Sequence, residues 1–195
     1  MKRLQESNPN SVAYWDHRYA TEAEPMWKIW TTGDLIERLA AHIPNRARVL
    51  DVGAGAGIVP TRISKLRSDL RWSACDFSRE SVDYLRKLGT VEFERLEVAN
   101  VCQGLPFKPR SFDVVLATEI LEHLDSPTAA IAEMARIASK RLLVSVPHNH
   151  HIPCHEHIWE FSEDDLKKLL NGYGKIEIEQ ARGGRNLIGV CSWSA

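Results

Sequence analysis

The sequence is short of extremes, and each shortage excludes something. Its 195 residues carry 25 Lys and Arg against 26 Asp and Glu, a formal net charge of −1. A chain so balanced presents no overall electrostatic footprint for nucleic acid or an anionic membrane. No apolar run approaches the ~20 residues of a membrane-spanning helix. The opening MKRLQESNPN lacks the apolar core of a secretory leader. Cysteine is sparse: Cys75, Cys102, Cys154 and Cys191 lie far apart and form no CxxC pair. They read as reduced thiols of a cytoplasmic protein, not as a disulfide framework. There is no internal repeat and no low-complexity tract. The length suits one domain with a full core, expected over residues 1–195.

What is present is concentrated. In Arg48-Val-Leu-Asp-Val-Gly-Ala-Gly-Ala-Gly57 a short apolar run is followed at once by three glycines, and Ile58 to Leu66 then reads as a helix. Strand, glycine turn and helix N-terminus make a nucleotide-binding corner, because glycine permits a tight turn and lets a ligand approach the backbone. A dinucleotide fingerprint would place a third glycine where Ile58 stands. Strands are expected near 48–52, 71–76, 91–98, 112–117, 140–146, 174–181 and 187–194. Helices are expected near 58–67, 79–88, 127–138 and 162–170. Ser78, Ser126 (before Pro127) and Ser162 read as helix N-caps, and Ala181-Arg-Gly-Gly-Arg185 as a hairpin turn. The pattern predicts an α/β fold, a doubly wound seven-stranded sheet, mostly parallel, with a C-terminal antiparallel hairpin. Residues 1 to about 10 read as a poorly ordered lead-in. Tyr14 to Ala41 is rich in aromatics (Tyr14, Trp15, Tyr19, Trp27, Trp30), with Pro25 and Gly33 expected to break it into short helices.

The glycine corner, DVGAGAG, resembles motif I of the class I S-adenosylmethionine-dependent methyltransferases, with Asp51 as the acid that faces the ligand. Three further segments extend the resemblance. Leu70-Arg-Trp-Ser-Ala-Cys-Asp76 ends in an acid about 20 residues past the glycines, the position of a ribose-binding carboxylate. Val98-Ala-Asn-Val-Cys-Gln-Gly-Leu-Pro-Phe107 resembles the family's adenine loop, with Asn100 in place of the usual Asp. Ser111-Phe-Asp-Val-Val-Leu-Ala-Thr-Glu-Ile-Leu-Glu-His-Leu124 resembles the fourth-strand motif of the subgroup related to ubiquinone and menaquinone biosynthesis enzymes. The match runs from about Tyr14 to the C-terminus. It implies that 46–195 form a Rossmann-like core and that 1–45 form a helical cap over the cofactor. It also implies S-adenosyl-L-methionine as cofactor, bound by Asp51, Gly53, Ala54, Gly55, Asp76, Phe77, Asn100, Val101, Thr118 and Tyr19.

Two clusters lie beyond the cofactor residues. One is Glu119-Ile-Leu-Glu-His123, whose spacing would put Glu119, Glu122 and His123 on one helix face. The other, His148-Asn-His-His-Ile-Pro-Cys-His-Glu-His157, holds five of the eight histidines. The expected activity is transfer of a methyl group to a small-molecule acceptor at O, N or C. Glu119, His123 and His148 would face that acceptor, with His123 or His148 as base, and no metal is expected. One alternative is a metal-dependent 2′-O-methyltransferase of RNA 3′ ends, which the clusters resemble. It would use Glu119, Glu122, His123 and His155 or His157, but the near-zero charge weighs against RNA. Another is a non-catalytic S-adenosylmethionine-binding protein. A nucleic-acid partner and a membrane span are not expected. The assembly expected is a monomer or homodimer.

Overall fold

The computed structural model describes residues 1–29, 34–149 and 154–193. In chain order the elements are β1 (Lys2–Arg3), α1 (Val12–Ile29), α2 (Leu35–Ala41), β2 (Arg48–Val52), α3 (Ile58–Leu66), β3 (Arg71–Asp76) and α4 (Arg79–Leu88). There follow β4 (Phe93–Val98), β5 (Phe112–Thr118), α5 (Pro127–Ile137), β6 (Ala138–Pro147), β7 (Trp159–Glu160), α6 (Glu163–Leu170), β8 (Lys175–Ala181) and β9 (Asn186–Ser192). Seven strands form one sheet in the order β4-β3-β2-β5-β6-β9-β8. The pairs from β4 to β6 are parallel, and β9 runs antiparallel to both β6 and β8.

Alternation along the strands sorts the core into two layers. Leu50, Val115, Ala117, Leu142 and Val144 pack on α5 and α6 through Ile131, Met134, Leu166 and Leu170. Val49, Val114, Leu116 and Leu143 face the other way, onto Leu39 of α2 and Val59 and Ile63 of α3. The sheet is therefore covered on both faces, as a parallel sheet requires. The caps form as their residues dictate. Ser78 Oγ accepts from Ser81 N at 3.2 Å and Ser126 Oγ from Ala129 N at 3.3 Å. Ser162 and Asp165 close a reciprocal capping box.

Three expectations fail. Residues 1–10 are tied down: β1 pairs antiparallel with β7, and Leu4 N donates to Ile158 O at 3.0 Å. Polarity there serves hydrogen bonding to another segment, which composition alone does not reveal. The first helix runs unbroken from Val12 to Ile29 through Pro25, losing the one backbone donor that proline lacks. Residues 119–123 do not form an α-helix. Glu119 has a left-handed backbone (φ +53°), and only Leu121–His123 make a 3-10 turn. Trp30, Gly33, His150, His151 and Ser194 lie outside the described residues, as does the side chain of Trp27.

Candidate functional site

Strand order reverses between β2 and β5, and the carboxyl ends of these strands open on a cavity of about 560 Å³. This is where open α/β sheets bind ligands. Asp51, Gly53, Ala54, Gly55, Asp76, Phe77, Asn100, Val101, Thr118 and Tyr19 all line it. Gly53 and Gly55 have φ of +69° and +52°, a conformation that favours glycine. A Cβ at Gly53 would come within 2.5 Å of Ile120 Cγ2, and one at Gly55 within 2.8 Å of Tyr19 Oη. The loop thus needs glycine for its turn and for close approach.

Two buried carboxyls flank that loop. Asp76 accepts from Gly55 N and Ser78 N, each at 2.9 Å, so the loop and the start of α4 hold it in place. Burial still lifts its pKa to about 6, against those hydrogen bonds. Asp51 is 2% exposed and its Oδ2 has no partner among the described residues. Burial first, and the Asp76 charge second, raise its pKa to about 8. Thr118 Oγ1 is also buried with no partner among the described residues. Asn100 lies at the start of a 3-10 turn. Its Oδ1 accepts from Cys102 N at 2.9 Å and so caps a 3-10 turn, leaving one lone pair for a ligand.

The far end of the cavity gathers residues from distant segments. The expected common face of Glu119, Glu122 and His123 does not form, because the backbone turns at Glu119. Its carboxylate points instead to Ser145 Oγ at 2.7 Å and Asn186 Nδ2 at 2.6 Å. Glu122 is fully buried with both oxygens unpartnered among the described residues. Burial holds both Glu119 and Glu122 above the usual carboxylate range, and the Glu119 charge adds to the rise at Glu122. His123 Nε2 lies 3.8 Å from Glu122 Oε1. Burial, then the neighbouring His157, lower the His123 pKa to about 4, so its ring is neutral near pH 7. One donor atom each from Glu122, His123 and His157 lie within 4.8 Å of one another. His155 is instead exposed, with Nε2 3.0 Å from Tyr14 Oη.

His148 does not line the cavity. Its Nδ1 donates to Gly184 O and its Nε2 accepts from Asn149 Nδ2, both at 3.0 Å. Its place after β6 suggested the cavity, but the β8–β9 turn captures the ring.

Asn8, Asn10, Arg18, Glu156, Arg182 and Arg185 also line the cavity, and the sequence reading missed their roles. One signal was available for α1: Trp15, Arg18 and Tyr19 have the i, i+3, i+4 spacing of a single helix face. Trp15 stacks on Tyr19 at 5.5 Å and meets the His123 ring edge-on at 5.5 Å. No comparable pattern marks Asn8, Glu156 or the two hairpin arginines.

Comparisons with known proteins agree with this geometry. Residues 50–141 match the family described as "Methyltransferase domain". The ubiquinone biosynthesis O-methyltransferase of Hahella chejuensis is 33% identical over 110 residues, 54% of this chain and 43% of that protein. The 27-O-demethylrifamycin SV methyltransferase of Amycolatopsis mediterranei is 32% identical over 130 residues, 64% of this chain and 45% of that protein. The chain thus spans less than half the length of these curated relatives. Among solved structures, a SAM-dependent methyltransferase from Thermotoga maritima superimposes with a TM-score of 0.73 at 17% identity, covering 93% of this chain and 99% of that one. The magnesium protoporphyrin IX methyltransferase of Synechocystis PCC 6803, solved with bound SAM, gives 0.67 at 17% identity, covering 97% and 100%. At these identities the two structures establish the fold alone.

Proposed function

We infer from the chain's membership of the class I S-adenosylmethionine-dependent methyltransferases, carried by the domain at residues 50–141, that it methylates a small-molecule acceptor. One observation carries the reading: a glycine cradle between two buried carboxyls opens into the same cavity as a neutral, half-buried histidine, His123. The residues fit the cofactor. Asp51 offers an unpaired buried oxygen to an ammonium group. Asp76, fixed by Gly55 N and Ser78 N, retains lone pairs for a ribose diol. Asn100, Val101 and Phe77 would enclose the base, and Tyr19 closes over Gly55.

S-Adenosylmethionine, when bound, supplies a methyl group already activated on a sulfonium. The chain's task is then alignment and exclusion of water. For an acceptor that holds a proton at neutral pH, His123 is the proton acceptor at Nε2. Glu119 is held by Ser145 and Asn186 and shapes the wall. The names of the curated relatives point to small molecules, ubiquinone biosynthesis in one and 27-O-demethylrifamycin SV in the other. The four free thiols suit a reducing compartment, and we read the chain as cytoplasmic. Among the described residues no helix is long and apolar enough to cross a membrane.

A second reading has one observation behind it. The Glu122, His123 and His157 donor set suits a divalent cation, as metal-assisted transfer to RNA ends would need. The net charge of −1 speaks against an RNA partner. Calorimetry tests the main reading: S-adenosylmethionine and S-adenosylhomocysteine are expected to bind at micromolar concentrations and NAD not at all. Turnover of labelled cofactor against a panel of hydroxyl, amine and carbon acceptors then separates an enzyme from a protein that only binds. NAD binding would overturn the cofactor assignment.

A further inference from the structure

Glu156 joins three segments that are far apart in sequence. Its carboxylate accepts from Tyr14 Oη at 2.6 Å, from the Arg18 guanidinium and from Cys154 Sγ. Burial alone would raise its pKa, yet the bonds from Cys154 and Tyr14, its own backbone N–H and the His155 charge outweigh that and hold it at about 2, an anion at neutral pH. Its backbone carbonyl accepts from Asn10 Nδ2 at 2.8 Å and meets His123 Nδ1 at 3.1 Å. On either side Gln5 Nε2 donates to His155 O and His157 O, at 2.6 and 2.8 Å. Asn8 Nδ2 reaches His123 O at 3.2 Å.

A carbonyl has no proton to give. His123 Nδ1 therefore carries the hydrogen, and in a neutral ring Nε2 is then a bare acceptor. Which nitrogen is bare decides whether this ring can take a proton from, or accept a bond from, anything in the cavity. The choice rests on where the Glu156 peptide sits, and that peptide is anchored by its own side chain to α1.

We infer that Glu156 is a positioning residue: its anchored backbone holds His123 as the Nδ1–H tautomer with Nε2 bare, and the same anchor seats residues 5–18 over the cavity. The inference deepens the methyl-transfer reading and rests on it for its consequence, while its geometry stands apart. A residue that only stabilised the fold would leave the tautomer unchanged when replaced. A positioning residue cannot.

The experiment uses the full chain labelled with ¹⁵N. Long-range ¹H–¹⁵N correlation spectra, assigned with His123→Gln, are expected to show His123 protonated at Nδ1 and not at Nε2 at pH 7.5. In Glu156→Ala the ring is expected to shift toward the Nε2–H form. The Leu4 amide, which donates to Ile158 O, should exchange about tenfold faster as the N-terminal segment loosens. A wild-type ring protonated at Nε2, or an unchanged tautomer in folded Glu156→Ala, overturns the inference. Should that variant not fold, Tyr14→Phe and Arg18→Gln remove the carboxylate's donors singly. Both are expected to move the tautomer the same way, and no movement in either overturns the inference. Failure of S-adenosylhomocysteine to bind the wild-type chain would refute the methyl-transfer reading and leave the tautomer result intact.

Discussion

The two ends of the cavity are built by opposite strategies. The proposed cofactor end comes from strand ends that follow one another closely: Asp51 to Gly55, then Asp76 to Ser78, then Asn100 and Val101. Its key hydrogen bonds span short distances in the chain, such as Gly55 N to Asp76, 21 residues apart, and Ser78 N to Asp76, two apart. The proposed acceptor end is assembled from remote pieces. Asn8 meets His123 across 115 residues, and Tyr14 meets Glu156 across 142. Local turn chemistry builds the first end, and closure of the whole chain builds the second. The cofactor end should therefore respond to single changes in a simple way, and the acceptor end through coupled partners.

The largest effect is expected at the acceptor end. His123→Ala should lower turnover by roughly 10²–10⁴ for an acceptor that must lose a proton, with cofactor affinity unchanged by calorimetry. Near-full activity in that variant would leave alignment as the only catalytic device. Next, Asp76→Ala should weaken S-adenosylmethionine by about 1.5–3 kcal/mol, the scale of hydrogen bonds to a charged group. Equal loss of acceptor turnover at saturating cofactor would break the division between the two ends.

A smaller effect concerns stability. Asp51 stands near 8 in the folded chain, through burial and then the Asp76 charge, against an ordinary 3.8. The folded state therefore binds more protons than the unfolded one between those values. Stability from this group is complete below about pH 4 and is lost as pH rises toward 8. Asp51→Asn removes the titration. In the cofactor-free chain it should raise Tm relative to wild type, most at pH 8 and little near pH 4. A gap between the two melting curves that does not vary with pH would contradict this origin. Smallest of all, dialysis against EDTA is expected to leave turnover unchanged. Loss of activity that Mn²⁺ restores would assign Glu122, His123 and His157 to a cation and favour the metal-assisted reading.

Much of the frame was legible because its signals are local. The seven strands of the main sheet are seen as expected to within two residues at nearly every end, since each is a short apolar run closed by a turn or cap. Glycines at 53 and 55 announced a tight turn, and Ser78, Ser126 and Ser162 announced helix starts. Where the expectation failed, the competing interaction was remote. The polar stretch Asn8-Pro9-Asn10 looked like solvent-exposed chain, yet its amides serve Glu156, His123 and Asp125. Glu119 looked helical with Glu122 and His123, but Ser145 and Asn186 draw its carboxylate away and the backbone turns with it. His148 looked like a base, but Gly184 and Asn149 occupy its ring nitrogens.

Taken by itself, the sequence determined the order of elements, the doubly wound sheet and the glycine corner with its two acids. These follow from periodicity, turn residues and spacing, which act over a few residues. Only the tertiary structure decided which histidines reach the cavity, which nitrogen of the His123 ring carries the proton, and what the first ten residues do. Those outcomes depend on buried polar groups finding partners more than a hundred residues away. A buried carbonyl or carboxylate must be satisfied wherever the fold places it, and no local pattern records where that will be.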